Sequence, residues 1–500
     1  MYLADAAHFP GGHAAGVVLP RSLDEVVEAV LAADTVLPIG AQSSLTGGAT
    51  PMGEVVLSTS NMTSVVGETP ISMTVQAGVT VDTMQERLAR RGAWFPPAPT
   101  FTGACAGGIV ATNAAGAATF KYGSTRDWVE ALTVVLADGT VLRLRRGERH
   151  AHGGWLELEG RRVPVPRYRM PAVAKVSAGY FAAPDLDAVD LFVGSEGTLG
   201  VIAEVTFRIL SPAPPTALAL IACRSEAQAI SLAGTLRSAS IETRRTRDIH
   251  GVDAAAIENM DRRCIEILLE DGAAARHHVA LPDETQAALL VQLELPGALT
   301  AERAYAEIAA ALTAGAPDTP IVRFCRLLDE AGALAATELV MPEDRRRMQQ
   351  LTAVREAVPA GVNQRVGAAK RTVDDRIAKT AADMVVPFER FAEMQAIYRR
   401  GFDSRGLDYA IWGHISDGNV HPNVIPKSFE DVEKGRQAIL GFGLEAARLG
   451  GCPLAEHGVG RSPIKQALLR QLYGAEGIDQ MRAMKRALDP DCRLAPGVIF

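Results

Sequence analysis

The chain is organised around the stretch Trp412-Gly413-His414-Ile415-Ser416-Asp417-Gly418-Asn419-Val420-His421-Pro422-Asn423. The central Asp417-Gly418 pair is typical of a two-residue turn between antiparallel strands, which predicts a β-hairpin. In that hairpin His414 lies opposite His421. Directly opposed residues share one face of the ribbon, with Cβ atoms about 4.5 to 5.5 Å apart. The two imidazoles are therefore expected to converge on one small ion, which makes the hairpin a candidate metal site.

A second polar segment, Ala455-Glu456-His457-Gly458-Val459-Gly460, offers a third ligand. Glu456 would complete a set of two histidines and one carboxylate, and His457 would then be available as a base. The small residues around them let backbone or substrate approach closely. Two ordinary explanations stay open, because polar residues cluster in turns without binding metal and His457 can be a hydrogen-bonded structural imidazole.

Three glycine-rich loops lie in the first 200 residues, at 40–48, 99–116 and 194–200, and each is expected to join strands. Backbone N–H groups can surround a pyrophosphate only where no bulky side chain intervenes. The second loop has too few side chains for a good core and suits a large flat ligand, oriented by Thr112 and Asn113. The nearest Gly-x-Gly-x-x-Gly-like pattern, residues 441–446, lies in a helical segment. The loops together predict a dinucleotide held outside the Rossmann arrangement, although each loop alone is compatible with a tight turn.

The apolar periodicity predicts the remaining elements. A helix at 21–33 begins with a capping box of Ser22 and Glu25, and a hairpin turns at Asp138-Gly139. Ser211-Pro212-Ala213-Pro214-Pro215 marks a boundary, beyond which strands and helices alternate as in an α+β sandwich. The predicted strands are 36–39, 72–76, 202–209, 218–223, 288–294, 321–324 and 384–387, and the predicted helices are 81–90, 225–238, 301–311, 345–357 and 428–448. The predicted domains are 1–212, 213–440 and 441–500.

Composition excludes several classes of protein. A net charge of -7 in 500 residues argues against a nucleic-acid binder. The six cysteines are scattered and form no Cys-x-x-Cys unit, so we expect reduced thiols, a cytoplasmic protein and no ferredoxin-like cluster. The start of the chain shows no secretory signal. The uncharged run 92–120 contains too many prolines and glycines to predict a transmembrane segment.

Five ordered motifs, Pro38 to Gly48, Pro99 to Gly116 with Tyr122-Gly123, Gly194 to Ile202, Gly413 to Asn423 and Ala455 to Gly460, resemble those of the flavin-linked oxidases of the vanillyl-alcohol oxidase type. Within that family the chain is most similar to D-2-hydroxy-acid dehydrogenases, whose members oxidise D-lactate, D-2-hydroxyglutarate or glycolate. The resemblance implies an α+β fold. A two-lobed PCMH-type FAD-binding domain is followed by an α+β substrate (cap) domain and a C-terminal helical segment that returns to the flavin site.

The resemblance also implies how FAD is held. The pyrophosphate would lie on the backbone of Gly40, Ala41, Gln42, Ser43 and Ser44, with Gln42 standing where many relatives have glycine. The other implied cofactor contacts are Pro38, Pro99, Thr100, Gly103, Ala104, Gly107, Gly108, Thr112, Asn113, Glu196, Gly197 and Ile202. The segment 38–48 contains neither histidine nor cysteine for a covalent link. We therefore expect non-covalent FAD, with Cys105 as the one nearby exception.

The metal site implied by the resemblance consists of His414, His421 and Glu456, with zinc as the expected ion and manganese or iron as alternatives. In the mechanism that the resemblance implies, the ion would lower the pKa of the substrate hydroxyl, and His457 would take the proton while hydride passes to flavin N5. Arg355, Lys379 and Asn423 are the implied substrate-binding residues. Lys370 competes with Lys379, Pro359 replaces an expected hydroxyl, and both Arg355 and Lys379 can instead be surface or core-edge cations.

The expected reaction is the oxidation of a D-lactate-like 2-hydroxy acid to the 2-oxo acid. The expected partners are the hydroxy acid and an external electron acceptor, namely a cytochrome, a quinone or an electron-transfer flavoprotein, with oxygen not excluded. A homodimer and a peripheral position at the inner membrane are compatible with the sequence. Two other functions stay open: a metal-independent FAD oxidase of a sugar lactone or aromatic alcohol, and a metal-binding hydrolase or binding protein without flavin.

Overall fold

The structure, a computed structural model, describes residues 2–97, 99–297 and 299–500. It divides into two compact units. The first consists of Met1–Ala118, Tyr122–Ala213 and Gly450–Phe500, and the second of Thr119–Lys121 and Pro214–Leu449.

The strands in chain order are β1 (Gly16–Val18), β2 (Val36–Ile39), β3 (Val55–Ser58), β4 (Val65–Glu68), β5 (Ser72–Gln76), β6 (Val129–Val135), β7 (Val141–Arg145), β8 (Trp155–Leu158), β9 (Arg161–Pro164), β10 (Val201–Arg208), β11 (Thr216–Cys223), β12 (Ala254–Asp261), β13 (Ala287–Glu294), β14 (Thr337–Val340), β15 (Thr380–Ala381), β16 (Met384–Val385), β17 (Tyr409–His414) and β18 (Asn419–Val424). The helices are α1 (Leu23–Ala32), α2 (Val81–Ala89), α3 (Ala106–Ala111), α4 (Thr119–Tyr122), α5 (Ala188–Phe192), α6 (Glu226–Thr246), α7 (Arg262–Glu270), α8 (Ala273–Arg276), α9 (Ala301–Ala310), α10 (Pro320–Glu330), α11 (Arg345–Thr372), α12 (Phe391–Asp403), α13 (Phe429–Arg448) and α14 (Pro463–Leu488).

The first unit begins with a small parallel sheet in the order β1-β3-β2. Helix α1 connects two of its strands, as parallel pairing requires a crossover. The Ser22 hydroxyl caps the helix, as predicted, by accepting the N–H of Glu25 at 3.2 Å. The second half of the predicted capping box is not formed, because the Glu25 carboxylate accepts the N–H of Arg21 at 2.7 Å. Val26 and Val30 on its inner face are buried in one core with Leu57. The tail of the chain joins the same sheet, because the N–H of Val36 donates to the carbonyl of Arg493 at 2.8 Å.

A second sheet of the first unit is antiparallel, with the order β4-β5-β10-β6-β7. The predicted hairpin at Asp138-Gly139 is confirmed, since β6 and β7 pair through Val135 and Val141. The predicted strand from Ile202 is confirmed as β10, and its apolar residues are buried. Alternation of apolar and polar residues is the pattern expected of such half-buried strands.

The second unit is built on an eight-stranded antiparallel sheet. Seven strands follow the order β14-β11-β13-β12-β17-β18-β15, and β16 also pairs with β18. Helices α7 and α11 contribute Ile267, Val354 and Val358 to one of its hydrophobic cores. The strand β12 lies in the middle of the sheet, and all of its residues are buried.

The predicted hairpin register at the two histidines is wrong. A two-residue turn would place His414 opposite His421, but a turn of 3-10 helix at Ile415–Asp417, ending at Gly418 with φ 76°, connects the strands instead. The longer connection pairs Trp412 with His421. Because this shift is two residues, the alternation of side chains is preserved, and the histidines remain diagonal neighbours on one face of the sheet.

Three other predicted elements differ from the structure. Residues 321–324 belong to helix α10, because Thr319 caps it, Pro320 occupies its first turn and the apolar residues continue with helical spacing. The loop 194–200, which was expected to join two strands, is preceded by the short helix α5 instead. Helix α11 does not stop at residue 357 but continues through Pro359 to Thr372.

The observed division of the chain differs from the predicted domain boundaries at both positions. The first division comes after Ala213, one residue beyond the predicted position. The predicted boundary at residue 440 lies inside α13, and the observed division follows that helix, at Leu449. Among the described residues no helix combines the length and the apolar character that crossing a bilayer requires.

Candidate active site

A cavity of about 310 Å³ in the first unit is lined by all three glycine-rich loops. Glu456 and His457, which follow more than 250 residues later in the chain, line the same cavity. Fifteen of the seventeen residues predicted to bind the cofactor are among its lining residues. The two exceptions are Gly103 and Asn113.

Gln42 explains how the first loop forms without a second glycine. Its φ of 51° lies in the left-handed region, where glycine is the usual residue. The side-chain amide offsets this strain by donating hydrogen bonds to the carbonyls of Ala49 at 2.8 Å and Tyr2 at 3.2 Å. Gln42 therefore stabilises the backbone turn that lines the cavity.

Cys105 lies at the wall of the cavity and directly before α3. Burial raises the pKa of its thiol, although a backbone hydrogen bond from Ala41 opposes the change. A thiol with a raised pKa is a poor nucleophile. This environment weakens the exception that Cys105 presents to the prediction of non-covalent FAD.

Two adjacent glycines of α3 have different roles. A Cβ atom added to Gly107 would lie 2.8 Å from the Cβ of Ala77, whereas a Cβ atom on Gly108 would meet no atom within 4 Å. Gly107 thus permits the helix to pack, and Gly108 leaves space at the cavity wall. The Thr112 hydroxyl donates to the carbonyl of Gly108 at 3.0 Å, while Asn113 is buried and accepts from the N–H of Arg126 at 2.9 Å. The side chain of Asn113 therefore holds the fold of this loop rather than facing the cavity.

Glu196 joins the third loop to the segment that carries His457. Its two carboxylate oxygens accept the N–H groups of Val459 and Gly460, each at 2.8 Å. Burial raises the pKa of Glu196 to about 7, and these two hydrogen bonds oppose the rise. A Cβ atom on Gly458 would lie 2.9 Å from this carboxylate, so glycine is required for the approach.

Glu456 contacts a fully buried lysine. The Nζ atom of Lys175, whose side chain is 0% exposed, lies 2.5 Å from Oε1 of Glu456. A buried ammonium is stable only when paired and hydrogen-bonded. Next to it, the N–H of Gly458 donates to the Ser177 hydroxyl at 3.0 Å, and His457 is half-buried. These contacts fix the backbone on both sides of the predicted base.

The cavity fits FAD. Its volume lies within the range of roughly 300 to 1,000 Å³ that is usual for small-molecule sites. Its wall consists largely of glycine, alanine and hydroxyl residues, so that backbone N–H groups can reach a pyrophosphate. The open space beside Gly108 is of the kind that a flat ring system can occupy.

The two histidines of the second unit lie close together. The ring centroids of His414 and His421 are 5.7 Å apart, and the ring planes are perpendicular. Oε2 of Glu258 lies 3.1 Å from Nδ1 of His414, and Oδ1 of Asp383 lies 3.5 Å from Nδ1 of His421. A carboxylate beside Nδ1 favours the tautomer with the proton on that nitrogen and the lone pair on Nε2. This donor set fits a divalent metal ion.

The three predicted substrate-binding residues also belong to the second unit. Nη2 of Arg355 lies 3.1 Å from Oε2 of Glu258. The side chain of Lys379 is exposed at the surface. The surrounding protein nevertheless desolvates its ammonium group in part, which lowers the pKa. No carboxylate is paired with Lys379 in the described part of the chain. The amide of Asn423 donates to the carbonyl of His421 at 2.8 Å, while its buried oxygen accepts no hydrogen bond from the described residues. Asn423 therefore offers an acceptor to a ligand.

Sequence reasoning missed three charged residues of these sites: Lys175, Glu258 and Asp383. The signal was weak in each case. Glu258 is a carboxylate within the otherwise mostly apolar strand Ala254–Asp261, and Asp383 directly precedes the predicted strand at 384. A charge in a buried strand demands a partner, but the sequence does not reveal which one.

Comparison with known proteins identifies the family. The family described as "FAD linked oxidases, C-terminal domain" matches residues 224–499, and the family described as "FAD binding domain" matches residues 14–145. The chain belongs to the FAD-linked oxidases. The predicted family, the α+β fold and the FAD cofactor are thereby confirmed, and the protein is a flavoprotein oxidoreductase.

Several relatives match nearly the whole chain. Glycolate oxidase subunit GlcD of Bacillus subtilis is 28% identical over 494 residues, which cover 97% of this chain and 88% of the relative. D-2-hydroxyglutarate dehydrogenase of Xanthomonas citri is 28% identical over 496 residues, and the match covers 97% of this chain and 89% of the relative. D-lactate dehydrogenase of Anaerostipes hadrus is 26% identical, and the match covers 93% of this chain and 84% of the relative.

A solved structure of alkyldihydroxyacetonephosphate synthase has the same fold. It superposes with a TM-score of 0.56 at 16% sequence identity, and the match covers 96% of this chain and 76% of the synthase chain. At that identity the likeness concerns the fold alone. The metal, the substrate and the electron acceptor of this protein stay predictions.

Proposed function

We propose that this flavoenzyme oxidises a small, D-lactate-like 2-hydroxy acid to the 2-oxo acid with the assistance of a divalent metal ion. Two electrons and one proton leave the substrate carbon as hydride, and the hydroxyl loses a second proton. An external acceptor, a cytochrome, a quinone or an electron-transfer flavoprotein, then takes the electrons. One observation carries the proposal: Glu456 and His457 line the same cavity as the three glycine-rich loops. The named activities of the three relatives support the substrate class.

FAD, when bound, supplies the hydride acceptor. The residues of the cavity wall hold it there, and His457 takes the hydroxyl proton. An imidazole suits this step because its ordinary pKa of about 6.5 lies close to neutral pH. The hydrogen bonds from the neighbouring backbone to Ser177 and Glu196 keep His457 in place at the cavity.

His414, His421 and Glu456 are the residues that would hold the metal ion. Zinc is the expected ion, and manganese and iron also accept two imidazoles and one carboxylate. The ion, when bound, would act as a Lewis acid that lowers the pKa of the substrate hydroxyl. Since Lys175 contacts Oε1 of Glu456, we expect Oε2 to be the ligand atom.

The substrate carboxylate requires a cation, and Lys379 meets the need because it reaches solvent and no carboxylate is paired with it in the described chain. Arg355 can add a further N–H group, although Glu258 already engages one end of its guanidinium. The unsatisfied oxygen of Asn423 would accept a hydrogen bond from the ligand. Hydrogen bonds from the charged groups of Lys379 and Arg355 to a carboxylate are about twice as strong as hydrogen bonds between neutral groups.

A substrate screen tests the proposal. The purified protein should be yellow and release FAD on denaturation, and D-2-hydroxy acids should bleach the flavin in the absence of oxygen. A His457→Asn variant should keep its FAD and lose at least about 100-fold in the rate of bleaching, as is typical for removal of a general base. If no D- or L-2-hydroxy acid reduces the flavin, the proposed substrate class is wrong. Full activity in the variant would show that His457 has a structural role only.

Metal removal separates this function from its closest alternative. Dialysis against a chelator should abolish turnover, and added zinc or manganese should restore it. His414→Ala should behave like the metal-free enzyme. If chelation and the variant both leave turnover unchanged, the reaction needs no metal. Screening sugar lactones and aromatic alcohols as substrates would then be the next step.

A further inference from the structure

Glu258 occupies an unusual position for a carboxylate, in the fully buried central strand β12. It lies directly opposite His414 of β17 in the antiparallel register. Opposed residues of neighbouring strands project from the same face of the sheet. Glu258 is therefore placed by the sheet itself, rather than by a loop, against one of the two histidines.

A single oxygen of Glu258 contacts two functional side chains. Oε2 lies 3.1 Å from Nδ1 of His414 and 3.1 Å from Nη2 of Arg355. The side chains of Glu258 and His414 are 7% and 3% exposed, so water cannot readily replace either contact. The carboxylate accepts a hydrogen bond from Arg355, whose guanidinium compensates its buried charge, and it lies at ion-pair distance from His414.

The second histidine has a comparable neighbour. Oδ1 of Asp383 lies 3.5 Å from Nδ1 of His421, and the amide of Asn419 donates to the same oxygen at 3.3 Å. Both imidazoles thus have a carboxylate on the Nδ1 side. In metal sites such a partner sets the tautomer, the ring orientation and the basicity of the ligand nitrogen.

We propose that Glu258 is a positioning residue that couples the metal site to substrate binding. By holding the proton on Nδ1 of His414, it directs the lone pair of Nε2 to the ion. Through the same oxygen it holds the guanidinium of Arg355 in the orientation in which it binds the substrate carboxylate. This inference rests on the proposed metal-assisted function and extends it to a residue that touches neither the ion nor the substrate.

The inference predicts a graded loss of metal affinity. Zinc binding to the metal-stripped protein, measured by competition with a chromophoric chelator, should weaken about 10- to 100-fold in Glu258→Ala. Glu258→Gln should bind zinc with intermediate affinity, because the amide oxygen still accepts from Nδ1 but carries no charge. In steady-state assays Glu258→Gln should also raise KM for the hydroxy acid, since Arg355 loses its restraint.

Glu294 provides a matched control. It lies on β13 of the same sheet, its side chain is likewise 7% exposed, and it forms an ion pair with Lys121 rather than with a histidine. Glu294→Gln should lose a comparable ion pair without changing zinc affinity. Thermal unfolding and FAD content should be recorded for every variant, so that a general loss of structure is recognised.

The outcomes distinguish the inference from the proposed function. If the wild-type protein binds no divalent metal, the metal-assisted function itself fails. If the wild-type protein binds zinc and both Glu258 variants bind it equally well, only the positioning role of Glu258 is overturned. An equal loss of zinc affinity in Glu294→Gln would also overturn it, because the effect would then follow from any lost ion pair in the sheet.

Discussion

The two adjacent glycines of α3 allow folding and cofactor binding to be tested separately. Alanine at Gly107 would place its Cβ atom 2.8 Å from that of Ala77, an overlap in the core. Overpacking of this kind costs about 1 to 3 kcal/mol, partly offset by about 1 kcal/mol from the higher helix propensity of alanine. Alanine at Gly108 meets no atom within 4 Å and gains the propensity alone. We expect Gly107→Ala to unfold more easily than Gly108→Ala, by about 1 to 3 kcal/mol.

FAD affinity, in contrast to stability, should be more sensitive to substitution at Gly108 than at Gly107. A larger side chain in Gly108→Leu would project into the space that we assign to FAD, and we expect at least a 100-fold loss of FAD affinity, equivalent to about 2.8 kcal/mol. Urea unfolding of the apoprotein gives the stabilities, and titration with FAD followed by flavin fluorescence gives the affinities. If Gly108→Leu binds FAD as tightly as the wild-type protein, the cavity is not the FAD site. If Gly107→Ala is as stable as Gly108→Ala, the described packing of α3 on Ala77 is incorrect.

Two further predictions concern charged side chains. Burial raises the pKa of Glu196 from its ordinary 4.5 to about 7, so its contribution to stability is present below pH 4.5 and is lost as pH rises through 7. Each pKa unit corresponds to about 1.4 kcal/mol, a value that is reduced here because the side chain is only half-buried. Between pH 4.5 and 8 we therefore expect the free energy of unfolding of the wild-type apoprotein to fall by about 1 to 2 kcal/mol relative to that of Glu196→Gln. Urea unfolding at each pH measures the difference. Parallel pH profiles in the two proteins would refute this cause. Lys379→Met should lower kcat/KM for a hydroxy acid about 10- to 100-fold, the value of a hydrogen bond to a charged group, while Lys370→Met should not. The reverse result would assign the substrate carboxylate to Lys370.

Elements with strong local signals were predictable from the sequence. The strands at 36–39 and 72–76 have the predicted bounds, and Ser22 and Ser428 cap the predicted helices. In these segments the apolar period, the cap and the turn residues all indicate the same structure. The ligand-binding role of the glycine-rich loops was predictable only from the three together, since each loop alone is also compatible with a tight turn.

Features that depend on long-range pairing were not predictable. The register of β17 and β18 is set by a 3-10 turn that the Asp417-Gly418 pair does not specify. The contact between Glu258 and His414 depends on which strands are neighbours in the sheet, and the sequence of either strand alone does not contain that information. The same holds for Lys175, whose partner Glu456 lies far along the chain. The strand predicted at 321–324 was wrong because four apolar residues do not distinguish a strand from one face of a helix.

The discontinuity of the first unit has a consequence for biosynthesis. Its last segment, Gly450–Phe500, leaves the ribosome after the whole of the second unit, and it supplies Leu494 to the core of the first sheet. Arg493 there donates hydrogen bonds to the carbonyls of Val30 and Ala137. Nascent domains generally fold in the order of their synthesis. Here, however, the first unit cannot be completed until its last segment, Gly450–Phe500, has been translated. A growing polypeptide that stops before residue 450 would carry a finished second unit next to an amino-terminal half that still lacks its closing segment.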